Sequence, residues 1–306
     1  LSVDLFSIIS QWQKDPHSII GSELHQEAIK SFRGINFLHF LVVFPDVFSR
    51  PQKGFDVILG NPPWEEVKID EWSFWARHFP GFKTLLDSER QTQIEDFALT
   101  HPDLVEAFRS DRDELEQMRK MLLTGPYPGM GNGDPDLYKG FTWRFLQLIS
   151  QTNGSIGVVL PRSAWLNKGS AIFRSKLLES TTNVNLTSLT NTKGWIFDIH
   201  PQFQITLSAF QISDNDETTN RISLRGPYGS YIDYLAGMQN EAASFQIDRL
   251  LDWSSDAMIP ELTNKSNEST AIILSKIKLQ PKISDPRRID FRVRPYREVD
   301  ETNDKF

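Results

Sequence analysis

Asn61-Pro62-Pro63-Trp64 follows directly on the apolar run 55–60 (FDVILG), and its residue types in that order could do chemistry. Asn61 precedes a proline, which drives its backbone toward extended geometry, while Pro62 and Pro63 fix their own φ and carry no N–H. The resulting loop is stiff and rich in hydrogen-bond acceptors. The Asn61 side-chain carbonyl and the Pro62 main-chain carbonyl could together accept both hydrogens of a planar exocyclic amine. Such a nitrogen is a poor nucleophile, because its lone pair is delocalised into the ring. Two acceptors placed out of the ring plane favour a tetrahedral nitrogen, whose lone pair can attack an electrophilic methyl group. Alignment supplies most of the effect, and the proton leaves afterwards without a tuned general base. Trp64 adds a flat π-face on which a base swung out of its duplex could stack. The bland alternative is a rigid turn that ends a strand, with Trp64 as core filler, although such a turn requires neither Asn nor paired prolines.

Prolines cannot donate to a ladder, so the strand 55–60 must stop where the tetrapeptide begins. In an open parallel sheet the carboxyl ends of strands form the ligand crevice, which places this corner where substrates bind. The surrounding pattern predicts such a sheet. Residues 1–20 carry apolar residues at helical spacing, and 35–44 (INFLHFLVVF) predicts a buried strand ending at Pro45. Residues 65–123 are charged and helical, with Leu104, Phe108, Leu115, Met118 and Leu122 in one apolar stripe. After a Gly/Pro loop at 125–135 comes a helix with Tyr138, Phe141, Phe145 and Leu148 on one side, then a strand at 155–160. A helix at 171–178 and strands at 184–189 and 203–212 continue the alternation. The expected fold is α/β: a partial Rossmann-like sheet, doubly wound and mostly parallel, with a C-terminal extension. Residues 1–213 form the catalytic part, and 214–306, where periodicity weakens, a strand-poor extension with a helix in 232–251.

The 306 residues include 39% hydrophobic and 24% charged side chains, an ordinary globular composition. Cysteine is absent, which removes disulfides, thiolate metal sites and cysteine nucleophiles and points to a cytoplasmic setting. No apolar run is long enough to span a bilayer, so no membrane partner is expected. The chain opens on Leu1 without a signal-peptide pattern, which reads as a piece of a longer protein. The net charge of −7 hides a basic run at 276–297, with eight basic against two acidic residues. Arg287, Arg288, Arg292 and Arg294 in that run could lie along phosphates; a solvated face is the alternative. The six histidines show no zinc spacing, and neither G-x-S-x-G nor a phosphate-binding P-loop occurs, so no metal, acyl-hydrolase or nucleotide triphosphatase reading is supported.

The strand followed by NPPW resembles motif IV of the adenine-N6 DNA methyltransferases that use S-adenosylmethionine. The wider text HFLVVFPDVFSRPQKGFDVILGNPPWEEVK (39–68) is similar to the corresponding block of Eco57I-like and type IIG restriction-modification and phage-defence methylases. Residues 136–178 and 192–210 resemble the helix, strands and loop that follow in that family. The resemblance implies S-adenosylmethionine as cofactor, double-stranded DNA as partner, base flipping as access route, and association with other restriction or defence subunits. It implies Asn61 and Pro62 as acceptors of the amine, Pro63 as the shaping residue and Trp64 as a stacking partner. A second aromatic, Trp195 or Phe197, would sandwich the base, with ordinary core packing the alternative for both.

Of the family's cofactor contacts only Asn61 carries over, because no glycine-rich turn after a strand precedes it. Gly129-Met130-Gly131-Asn132-Gly133 follows a charged helix instead and reads as a plain loop. A fragment lacking the cofactor-binding half is therefore expected to be inactive in isolation. Two other readings stay open: methyl transfer to ribosomal RNA or to a protein glutamine, and a non-catalytic DNA-binding module.

Overall fold

The computed structural model describes residues 14–31, 38–131, 133–198, 203–212, 220–248, 256–259 and 273. The chain divides into two compact units, Leu1–Val47 and Phe48–Phe306.

In the first unit a 3-10 turn at Pro16–Ile19, capped by the Asp15 carboxylate on the His17 N–H at 3.0 Å, precedes α1 (Glu23–Ser31). Residues 1–13 of the helix expected at 1–20 lie outside the described residues. The strand expected at 35–44 is corrected where it is described: α2 (Phe40–Val43) is a single helical turn. Leu41, Val42 and Val43 are 53, 74 and 49% exposed. Aromatic and β-branched residues favour a strand only where a neighbouring strand takes the ladder and a core takes the face. Here the Phe44 N–H bonds the Phe40 carbonyl at 2.8 Å and the two rings stack 6.1 Å apart. Pro45 then starts α3 (Pro45–Phe48), at a position where its missing N–H costs nothing.

The second unit opens on β1 (Val57–Gly60). Three helices follow, α4 (Glu71–His78), α5 (Asp87–Thr100) and α6 (Pro102–Thr124). Asp70 caps α4, and its hydrogen bonds from the Ser73 hydroxyl and N–H hold its carboxyl below the usual range. These helices have a core of their own, where Phe74, Trp75, Phe82, Ile94 and Phe97 meet and Phe79 stacks on Phe97 at 3.6 Å. The α6 stripe divides between two clusters. Leu104 and Phe108 join this aromatic core, Leu115 and Leu122 pack with Val67 and Met130, and Met118 is left 41% exposed.

The sheet is completed by α7 (Leu137–Leu148), β2 (Ser155–Pro161), α8 (Ser163–Leu166), α9 (Ala171–Glu179), β3 (Thr182–Thr190) and β4 (Gln204–Gln211), then β5 (Arg221–Tyr228), α10 (Tyr231–Met238) and β6 (Ala243–Gln246). Its order is β1-β2-β4-β3-β5-β6. The fold is α/β as the sequence predicts, with a six-stranded mixed sheet in which β1, β2, β3 and β5 run the same way. β1 pairs β2 and β3 pairs β5 in parallel, whereas β4 is antiparallel to both its neighbours and β6 to β5.

One face is packed by Tyr138 and Trp143 of α7, Trp165 of α8 and Phe173 and Leu177 of α9. Phe141, expected on the buried side of α7, is 43% exposed. The strands beyond residue 213 correct the expected strand-poor extension. Ile222 and Leu224 of β5 and Phe245 of β6 enter the same core, so the sheet runs straight across the expected boundary. Of the helix expected at 232–251, α10 covers the first part and β6 interrupts it, while residues 249–251 lie outside the described residues.

Candidate functional site

β1 ends in parallel register with β2, Gly60 opposite Val158, and Asn61 begins beyond the last rung. Gly60 is required by packing, because a Cβ there would sit 2.7 Å from the Phe145 ring of α7. Gly60→Ala is therefore expected to destabilise the protein by about 1–3 kcal/mol through overpacking. Phe145→Leu in the same chain should recover part of that, as urea unfolding of the single and double variants would show. Arg50 clasps the turn before β1. Its guanidinium bonds both Asp56 carboxylate oxygens at 2.7 and 2.9 Å, the Gln52 carbonyl at 2.8 Å and the Gly54 carbonyl. These bonds hold the Asp56 carboxyl below the usual range.

Pro62 is buried, Asn61 and Pro63 are exposed, and Trp64 is half-buried with its indole N–H on the Val159 carbonyl at 3.3 Å. Beyond Trp64 the Glu65 carbonyl accepts from Leu137 N at 3.0 Å and Val67 N donates to the Pro135 carbonyl at 2.9 Å, around an antiparallel bridge between Glu66 and Asp136. The corner is thus fixed before, within and after its four residues. Among the described residues nothing hydrogen-bonds the Asn61 amide or the Pro62 carbonyl.

Strand alternation aims Val159 and Leu207 at the face opposite the main core. At the carboxyl end of the parallel strands that face is covered by a small aromatic cluster. Leu189, Ile205 and Tyr228 form its base, and Trp64, Trp195, Ile196, Phe197 and Tyr234 of α10 pack on it. The structure therefore brings Trp64, Trp195 and Phe197 to one cluster, all three half-buried. Toward the amino end the same face is bare. Val57 and Leu59 are 60 and 80% exposed and line a hollow of about 440 Å³ with Gly157, Asn185, Gln211 and Arg221.

Three features were not read from the sequence. Asn191, fully buried at the end of β3, bonds the backbone of the loop carrying Trp195 and Phe197. The buried Lys139 ammonium pairs with Asp136 at 2.8 Å beside the Glu66 bridge; opposite charges three apart at a helix start were the available signal. Tyr228 came from a strand not foreseen. The glycine loop plays no part as a cradle. Gly129, at φ +76°, lies where a Cβ would meet the Phe173 main-chain nitrogen at 2.2 Å, so it serves close packing on α9. The basic run with Arg287, Arg288, Arg292 and Arg294 lies outside the described residues. Among those described, no acidic and histidine cluster could hold a metal ion, and no helix is long and apolar enough to cross a membrane.

No family model and no curated protein matches the chain. Solved structures with which it shares some likeness include the ATP-dependent type ISP restriction-modification enzyme LlaBIII bound to DNA, at 16% identity over 69% of this chain and 13% of that one, TM-score 0.35. A cryo-EM DrdV–DNA complex is similar at 11% identity over 64% of this chain and 18% of that one, TM-score 0.35. The methyltransferase subunit of a type I restriction-modification system from Streptococcus thermophilus is similar at 13% identity over 68% and 37%, TM-score 0.35. The chain thus spans well under two thirds of the length of each.

Proposed function

We propose that residues 55–64 form the amine-holding corner of an adenine-N6 DNA methyltransferase that uses S-adenosylmethionine and serves in restriction-modification or phage defence. The observation that carries this reading is a pair of acceptors, the Asn61 amide and the Pro62 carbonyl, that no described residue hydrogen-bonds, on a corner whose flanking backbone is tied down. Acceptors held rigidly bind a donor without reorganising, which is what positioning an exocyclic amine requires. Trp64, part of the aromatic cluster beside them, supplies the flat surface a flipped base needs.

S-adenosylmethionine would supply the electrophilic methyl group, and the part played by these residues is to hold and pyramidalise the amine. Of the described residues only Asn61 is assigned to the cofactor. The bare edge of β1, with exposed Val57 and Leu59, is where elements completing the cofactor site would dock, since an apolar edge strand is otherwise an aggregation hazard. Double-stranded DNA would follow the basic run at 276–297.

The test is incubation of the full-length protein with labelled S-adenosylmethionine and unmethylated genomic DNA, ribosomal RNA or protein substrates, with products identified by mass spectrometry. N6-methyladenine in DNA is expected. Methylated RNA or glutamine as the sole product, or DNA binding without transfer, would replace this function with another.

A further inference from the structure

α7 holds the segment that carries the corner at three places. Beyond its last turn, Phe55 N donates to the Leu148 carbonyl at 2.9 Å and Ser150 N to the Phe55 carbonyl at 2.8 Å, around a parallel bridge between Phe55 and Ile149. Within the helix, the Phe145 ring occupies the space that a side chain at Gly60 would need. At its start, Leu137 N donates to the Glu65 carbonyl and Val67 N to the Pro135 carbonyl, on either side of the Glu66–Asp136 bridge. Asn61 to Trp64 lie between the second and third of these attachments. With φ fixed at both prolines, a shift of either attachment is passed to the corner rather than absorbed in it.

The first two attachments are main-chain bonds and ring packing, whereas the third also carries a side-chain ion pair. Asp136 is the N-cap of α7, where a carboxylate ordinarily accepts from an N–H of the first turn. It makes no such bond and turns instead to the Lys139 ammonium at 2.8 Å. Lys139 is 3% exposed and stands in the first turn, where the helix dipole disfavours a cation. Taking the ammonium out of water is a second cost, and well-packed apolar residues in place of such a pair are often as stable or more so. Fold stability therefore gives no reason for a lysine here. Fixing Asp136, the residue bridged to Glu66, does give one.

We propose that Lys139 is a positioning residue: through Asp136 it fixes the start of α7 against residues 65–67 and so sets where the Asn61 and Pro62 acceptors stand. This rests on the reading of Asn61–Trp64 as the amine-holding corner.

The experiment uses the full-length protein, labelled S-adenosylmethionine and DNA that the wild-type protein methylates. Lys139→Met keeps an unbranched side chain in the buried place and releases Asp136 to cap the helix. It is expected to lower kcat by about tenfold to a hundredfold, the upper figure being the cost of a misplacement of one ångström. KM for DNA and for the cofactor should stay within about twofold, because no group that touches either is removed. In an Asn61→Ala background the same substitution should cost at least about threefold less, as for groups that act as a unit. A merely structural role would lower the unfolding midpoint and cost the same factor in both backgrounds, and equal factors overturn the proposal. A KM that rises while kcat holds overturns it too, since Lys139 would then be a binding group, and so does a folded Lys139→Met with the wild-type kcat. If Lys139→Met does not accumulate folded, Lys139→Gln, with a shorter and uncharged donor, decides by the same measurements. A wild-type protein that methylates no DNA would sink the function itself, a failure distinct from methylation with an indifferent position 139.

Discussion

Asn61→Ala is expected to reduce methyl transfer by about 10²–10³-fold while leaving the unfolding midpoint where it was. The size follows from removing one preorganised polar contact to the reacting group, a loss of that order in other polar active sites. The unchanged stability follows from position: Asn61 is exposed and, among the described residues, its amide bonds nothing, so truncation breaks no folded-state contact. Substitutions of that kind usually stay within about 0.5 kcal/mol. Asn61→Gln sharpens the test, because one extra methylene keeps the chemistry and displaces the acceptor by roughly an ångström. A displacement of that size is worth about 10²-fold. Initial rates at saturating DNA and cofactor, beside thermal unfolding of each variant, measure both halves. An alanine variant that keeps more than about a tenth of the rate, against the 10²-fold minimum expected, would remove Asn61 from the chemistry, and one that loses rate by unfolding would remove the structural argument.

The corner was legible in the sequence because its message is local. A paired proline ends a ladder wherever it stands, so β1 and the place of Asn61 at its tip could be read without knowing the neighbours. β2, β3, β4 and α9 were legible for the same reason, each being a short apolar or amphipathic run between turn residues. Residues 40–43 were not, since FLVV fits a strand or a helix by composition and, among the described residues, no strand pairs with them. β5 was overlooked because Arg221, Ser223 and Arg225 lie on the bare face, so only Ile222 and Leu224 mark it as apolar. Asn191 was invisible for a further reason. Its partners are five and six residues on, in a turn with no periodicity, and nothing in its type separates a surface turn asparagine from one that organises a loop.

Arg174 offers the largest expected effect on stability. It is 0% exposed, and its guanidinium donates to four main-chain carbonyls: Ala164 at 2.9 Å and Asn167 at 2.8 Å at the end of α8, and Asp256 at 2.6 Å and Ala257 at 3.1 Å far along the chain. With the Ile259 N–H on the Trp165 carbonyl at 3.0 Å, it fastens residues 256–259 to the helical layer. Burial pushes its pKa down to about 10, so the group remains charged at neutral pH and its desolvation is a cost the four carbonyls must offset. Arg174→Met keeps the volume and removes that cost, but leaves the carbonyls without a donor at roughly 1–3 kcal/mol each if they stay buried. The net expectation is a loss of about 3–5 kcal/mol, as for breaking other buried charged networks. Lysine should rescue little, because a compact ammonium cannot span the fork that reaches two segments. The unfolded chain holds this proton more tightly than the fold, so the cation's contribution rises with pH only above about 10, and the deficit of the methionine variant should be flat at lower pH. Urea unfolding at several pH values gives the size and the flatness. Limited proteolysis near Ala257 should quicken before global unfolding does, and a methionine variant with the wild-type midpoint and cleavage rate would show that the guanidinium pins nothing.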